Sequence, residues 1–332
     1  MKQDEIILQV KSKKTHEIEF IQLKTINDLN SAIRNGLTKD VINMSEIMMD
    51  HRINKIATSI AALPKAKIVL IAGPSSSGKT TFSKRLTLHL MANRLKPYPI
   101  SLDDYFVDRT RTPRDASGDY DYESIYALDL ELLQNHIDTL LRGGEIELPH
   151  YDFQSGTSQK SGCRLHLDDD MILLFEGIHG LNPELTSHIN DENKFKIYAS
   201  VLAPILEDDD HQISRTDSRL IRRILRDFRY RGASPQDTIA RWPSVRAGED
   251  KWVFPFQQYA DVEFNSATFY EMAVLRNMVL PVLAEINSDQ PAYAVSDRLR
   301  RLLLQFLPID DISLTPPVSL LREFMGGSSF RY

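Results

Sequence analysis

Residues 67–80 constrain this 332-residue chain more than any other segment. Residues 67–72 read as a strand that is continuously apolar after Lys67, the pattern of a strand buried on both faces of a parallel sheet. The run leads directly into Gly73-Pro74-Ser75-Ser76-Ser77-Gly78-Lys79-Thr80, which fits G-x-x-x-x-G-K-[ST]. Glycines at those positions let the backbone turn its N–H groups inward around a phosphate chain, and a helix after the turn adds its positive N-terminal end. Lys79 is then expected to reach the β and γ phosphates and the Thr80 hydroxyl to ligate Mg²⁺. Gly73, Ser75, Ser76, Ser77, Gly78, Lys79, Thr80 and Thr81 are the expected nucleotide-binding positions. The expected small molecules at this loop are ATP and Mg²⁺.

The rest of the chain alternates in the same grammar. Further strands are predicted at 99–102, 171–175, 195–201 and 261–264. Helices are predicted at 79–95, 128–142, 213–230 and 269–286. That alternation predicts the α/β class: a P-loop NTPase fold with a parallel sheet flanked by helices. A small α+β unit is expected ahead of it over 1–64, with strands at 6–10 and 17–21, helices at 26–33 and 45–63, and Pro64 as its stop. The main domain is then 65–290, with a helical lid at about 211–232, and 291–332 is a helical appendage.

Two strand ends carry carboxylates. Glu176, in Phe175-Glu176-Gly177, ends an apolar strand, where an acid beside the loop can hold Mg²⁺ directly or through water. Without the loop it would read as a solvated strand-end glutamate. Asp103 and Asp104 follow the second strand. A kinase needs one carboxylate there to orient the attacking hydroxyl and take its proton, although an Asp-Asp turn that caps a helix is a common alternative.

Arg219, Arg222, Arg223 and Arg226 fall at i, i+3, i+4 and i+7, on one helical face. Ile221, Ile224, Leu225 and Phe228 form a second, apolar stripe. Such a face can be a solvated surface paired with Asp217 and Asp227, a nucleic-acid contact, or a lid that brings guanidiniums over a triphosphate. The formal net charge of -6 disfavours nucleic acid.

Together these segments resemble the uridine kinase and phosphoribulokinase family, over about residues 67–285. Ser101-Leu102-Asp103-Asp104-Tyr105-Phe106 is similar to the family segment whose first aspartate is the catalytic base, which implies that role for Asp103. Asp119-Tyr120-Asp121 followed by Ala127-Leu128-Asp129 resembles the segment whose aspartate holds the ribose hydroxyls, which implies Asp121. Pro149-His150-Tyr151-Asp152-Phe153 resembles the run whose aromatics frame the base, which implies Tyr151 and Phe153. Glu176-Gly177-Ile178 matches the metal-side Glu-Gly. Residues 217–227 resemble the family lid, which implies phosphate or substrate contacts for Arg223, Arg226 and Arg231.

The resemblance has departures. Tyr122-Glu123 stands where the pyrimidine kinases have His-Pro. Gly156 stands where they place a histidine that helps read the pyrimidine, and Ser158 where an arginine follows. A roomier base pocket with fewer directed donors is therefore expected. Residues 176–182 look like a distinct bacterial branch, in which a longer N-terminal part resembles pieces of threonyl-tRNA synthetase; residues 1–63 are read as a remnant of such a part.

The resemblance implies ATP-dependent, Mg²⁺-dependent phosphorylation of a nucleoside 5′-hydroxyl. The alternatives are a kinase of another small hydroxyl substrate, in the manner of phosphoribulokinase or pantothenate kinase, and an idle nucleotide-binding regulator. A pure binder needs no base, so Asp103 weighs against the regulator. The single cysteine, Cys163, offers no disulfide or multi-cysteine metal site, and the chain has neither a leader pattern nor an apolar run that spans a bilayer. A cytoplasmic protein is expected, with a nucleoside as partner, no nucleic acid or membrane, and homo-oligomerisation left open. His150, His166, His179 and His211 lack metal-ligand spacing and are read as structural or exposed. His150, beside Tyr151, is also a candidate for lining the pocket. Trp242 and Trp252 are read as packing groups, and residues 207–210 as a solvated hinge.

Overall fold

The computed structural model describes residues 5–11, 18–115, 118–208 and 210–332. Of the expectations above, Glu17 and Asp209 lie outside the described residues. In chain order the elements are β1 (Ile6–Lys11), β2 (Ile18–Leu23), α1 (Ile26–Arg34), α2 (Thr38–Ala61), β3 (Ile68–Ala72), α3 (Lys79–Ala92), β4 (Lys96–Ser101), α4 (Leu130–Leu141), β5 (Glu145–Asp152), β6 (Thr157–His166), β7 (Met171–Glu176), α5 (Pro183–Thr186), β8 (Lys194–Ser200), α6 (Arg215–Tyr230), α7 (Pro235–Trp252), β9 (Val262–Asn265), α8 (Glu271–Leu283), α9 (Tyr293–Leu304) and α10 (Arg322–Met325). No helix among the described residues is long and apolar enough to cross a membrane.

The chain divides into two compact units, each built from separated stretches: residues 1–52, 201–243 and 265–332 form one, and residues 53–200 and 244–264 the other. The units therefore cut across the segment boundaries at 64 and 290, because 1–52 cluster with later parts of the chain.

The second unit, called here the sheet unit, holds five strands in the order β4-β7-β3-β8-β9. The pairings β4·β7, β7·β3 and β3·β8 are parallel. Every residue of β3 is buried, which is why its sequence is uniformly apolar. Helix α3 packs on β3, β4 and β7. Phe82 of α3 stacks on Phe264 of β9 with ring centroids 3.9 Å apart. A core of Ile68, Leu70, Leu102, Tyr105, Ile137, Phe175 and their neighbours fills this unit. It also carries an antiparallel hairpin, β5–β6, not anticipated from the sequence. Most of β6 is solvent-exposed and polar, so the alternation that marks a half-buried strand is absent there.

In the first unit, β1 and β2 pair antiparallel, and α6 packs on α8 and α10. The Tyr270 hydroxyl donates to buried Glu46 at 2.7 Å. The amphipathic reading of α6 needs correction. Arg219 and Arg222 are not offered to solvent; they are 3% and 0% exposed. Arg222 is ion-paired with buried Glu271 and donates to Ser266 Oγ at 3.0 Å. A guanidinium can enter a core only with its charge matched and its N–H groups satisfied, and Glu271 and Ser266 supply both. Phe228, by contrast, leaves the buried apolar stripe and is 39% exposed.

Candidate active site

The loop after β3 begins with a close approach. A Cβ on Gly73 would run into the carbonyl oxygen of Ala199, so only glycine fits. Gly78 caps α3 in the left-handed region at φ 78°, and Ser76 also has positive φ, at 59°. Lys79 is 8% exposed, and its ammonium curls back to donate to Pro74 O at 3.2 Å.

Two observations fit an anion in this loop. The Ser75 N–H donates to Glu249 Oε1 at 2.8 Å, so a carboxylate oxygen stands where a phosphate oxygen would. Glu249 is fully buried, and its other oxygen lies 3.2 Å from Arg246 Nη1. The Ser77 hydroxyl is buried and has no hydrogen-bond partner among the described residues.

Sheet register aligns the strand ends. Glu176 pairs with Ser101 on one side and with Ile71 on the other. The carboxyl edge of the sheet therefore carries, side by side, the loop after β3, Glu176 at the end of β7, and Asp103 two residues beyond β4. Thr80 Oγ1 donates to Glu176 Oε2 at 3.3 Å, so these two residues meet. A hydroxyl and a carboxylate are hard oxygen donors and fit Mg²⁺. Among the described residues no group of three or more His, Cys, Asp or Glu could hold a metal ion. Thr80 and Glu176 are the residues that would hold such a cation.

The adjacent aspartates are in different situations. Asp104 Oδ1 accepts from His150 Nδ1 at 3.0 Å and from the Tyr151 N–H at 3.3 Å, which ties the short helical turn Leu102–Tyr105 to the hairpin. Asp103 sits on the same turn, exposed at the sheet edge. Asp121 is half-buried, and its Oδ1 accepts from the Glu123 N–H at 3.1 Å.

Tyr151 and Phe153 lie edge to face at 5.1 Å, with Phe106 5.5 Å from Tyr151 and 6.1 Å from Tyr122. The space near Gly156 is not empty, contrary to the roomier pocket expected. The Arg109 guanidinium fills it, and a Cβ on Gly156 would lie 2.6 Å from Arg109 Cζ. No local pattern in the sequence singles out Arg109, since the contact joins segments 47 residues apart. Glu249 was missed for a similar reason: only burial against the loop distinguishes it from a surface glutamate.

Of the histidines, His150, His166 and His211 are exposed and His179 is buried. Burial, with the nearby Lys79 charge, pushes the His179 imidazole down to about 3, so it is neutral at ordinary pH. Trp242 is 7% exposed and Trp252 half-buried.

Arg223, Arg226 and Arg231 belong to the first unit, on and just after α6. All three converge on one buried carboxylate, Asp227, at 3.3, 2.8 and 3.6 Å. Asp217 pairs instead with Arg298, at 3.0 Å.

Residues 68–273 match the model of the phosphoribulokinase / uridine kinase family. The chain is 32% identical over 205 residues to a uridine kinase of Lactobacillus helveticus, covering 60% of this chain and 86% of the relative. It is 30% identical over 196 residues to a uridine kinase of Deinococcus deserti, covering 59% of this chain and 85% of the relative. A uridine kinase of Halobacterium salinarum is 29% identical over 228 residues, or 68% of this chain and 91% of that one. The match spans the loop, the three aligned strand ends and the arginine helix, and with it the chain belongs to the phosphoribulokinase / uridine kinase family of ATP-dependent kinases.

Proposed function

We propose that this protein transfers the γ-phosphoryl group of ATP to the 5′-hydroxyl of a nucleoside. The alignment of Asp103, Glu176 and the loop along one edge of the sheet carries this reading. In support, the register sets Ser101, Glu176 and Ile71 side by side, so a carboxylate just beyond one strand end and the loop beyond another share the same sheet edge.

In this reading the loop N–H groups from Ser75 to Thr81 and the Lys79 ammonium hold the phosphates, and Thr80 and Glu176 would hold Mg²⁺. Mg²⁺, when bound, draws off the negative charge that gathers on the phosphate oxygens. Asp103 accepts the proton of the attacking hydroxyl as its oxygen bonds to the γ phosphorus and the bridging oxygen leaves with ADP. Asp104, committed to His150 and Tyr151, keeps the turn in place. Asp121 accepts from the ribose hydroxyls, and Tyr151 and Phe153 frame the base. Arg223, Arg226 and Arg231 are the phosphate or substrate contacts the family resemblance implies, and within the first unit Asp227 gathers them into one cluster.

The test is the identity of the product. Protein incubated with ATP, Mg²⁺ and a mixed nucleoside panel should yield a nucleoside 5′-monophosphate, identified by phosphorus NMR and mass spectrometry. Phosphate found on no nucleoside, or on a different hydroxyl, would contradict the reading.

A further inference from the structure

The sheet unit contains a cation that none of the roles above uses. Arg109 lies between Tyr122 and the tip of the β5–β6 hairpin. Its Nε donates to the Tyr122 hydroxyl at 3.1 Å, and its Nη2 donates to the carbonyl of Phe153 at 2.8 Å. Its backbone N–H donates to Gly156 O at 2.8 Å, which fixes where the side chain starts. Gly156 turns through the left-handed region at φ 72°, and the guanidinium occupies the volume that any side chain there would need. Glycine at 156 and arginine at 109 are thus one device built from two positions.

Around this cation stand rings and a buried hydroxyl. Tyr151 is 2% exposed, and its hydroxyl stands beside the Arg109 guanidinium, whose charge works against the upward push of burial. Burial pushes that phenol upward, so it is a neutral O–H at ordinary pH. Phe153, 5.1 Å from Tyr151, keeps 60% of its surface in solvent. A large exposed ring beside a guanidinium suits a flat heterocycle with polar edges. Of the five guanidinium N–H groups, the two bonds above use one each from Nε and Nη2 and the Tyr151 hydroxyl lies beside the group, which leaves N–H donors for such an edge.

Guanidinium groups donate and never accept. A carbonyl oxygen presented to Arg109 completes a charge-assisted hydrogen bond, whereas an exocyclic amino group presents donor to donor. We propose that Arg109 is the specificity-determining residue for the acceptor base, selecting bases with a carbonyl over those with an amino group at the same ring position. This inference rests on the nucleoside reading above. It replaces loose reading of the base with directed reading by a residue from a different segment.

Two substrate pairs isolate the group in question: uridine against cytidine, and inosine against adenosine. The native enzyme should favour the carbonyl member of whichever pair it accepts by about ten-fold or more in kcat/KM. Arg109→Gln keeps a donor for Phe153 O and adds an acceptor, so the ratio should fall to within about three-fold. Arg109→Ala should bring the same loss of preference. A purely structural arginine would lower the rates of both members together and leave their ratio unchanged, which would overturn the inference while nucleoside kinase activity stands. A native preference for the amino member would also overturn it. Turnover with no nucleoside would remove the functional reading, and the inference with it.

Discussion

The proposed donor side and the proposed acceptor side of the sheet unit are built by opposite means. The donor side is largely backbone: Gly73 passes under Ala199 O, Gly78 turns left-handed, and the Ser75 N–H already binds an anion, the Glu249 carboxylate. The proposed acceptor side is side chains brought from four segments: Asp103, Asp121 with Tyr122, Tyr151 with Phe153, and Arg109. A backbone site is written in consecutive residues. A side-chain site is written in tertiary packing, so substitutions can re-plumb it without disturbing the fold. The comparison predicts that changes on the donor side abolish activity for every acceptor, whereas changes on the acceptor side alter which acceptor is used.

The largest effect is expected at Lys79. Lys79→Ala should eliminate measurable transfer to any acceptor while thermal unfolding stays close to native, since the ammonium supports charge on the phosphates and not core packing. Near-normal turnover would break the donor half of the comparison.

Next comes the contrast between neighbouring carboxylates. Asp103→Asn should cost on the order of 10²–10⁴-fold in kcat with nucleotide affinity little changed. Asp104→Asn keeps the hydrogen-bond acceptor that the Tyr151 N–H uses, so it should cost far less. If the two costs are reversed, Asp104 is the base and Asp103 the structural residue.

A smaller effect is expected at the sugar. Asp121 can accept two hydrogen bonds from a cis-diol, and a 2′-deoxynucleoside removes one. Because Asp121 is half-buried, water can reach the carboxylate left behind, and the preference for ribonucleosides should be about ten-fold. Equal rates for ribo and deoxy forms would remove Asp121 from the site.

The smallest effect tests a buried neighbour of Lys79 and not the chemistry. His179 stays neutral in the folded protein down to about 3 but takes a proton near 6.5 once unfolded. The unfolded state therefore binds the extra proton between those values, and the histidine's contribution is intact above pH 6.5 and lost as pH falls. Urea unfolding at pH 7, 6 and 5 should show a decline of up to ~1.4 kcal/mol per pH unit from this group, and a shallower decline in His179→Gln. Identical slopes would assign the acid sensitivity elsewhere.

The five sheet strands, the loop and the edge carboxylates were legible because each depends on local pattern: apolar runs, glycine spacing, an acid at a strand end. Residues 145–166 were not read as a hairpin because β6 faces solvent and carries no alternation. The arginine face of α6 was legible as a spacing but not as an environment. Spacing cannot show that Arg222 is matched by Glu271, or that Asp227 gathers three other arginines. Gly156 was read as vacant space because a single segment gives no hint that Arg109 fills it.

The most direct test of the central claim, that donor and acceptor chemistry share one sheet edge, is steady-state ADP release from ATP and Mg²⁺, measured with and without each nucleoside. The account predicts a low basal rate that rises at least ten-fold with one or more ribonucleosides and is lost in Asp103→Asn. ADP release that no nucleoside stimulates, or that persists unchanged in Asp103→Asn, would contradict it.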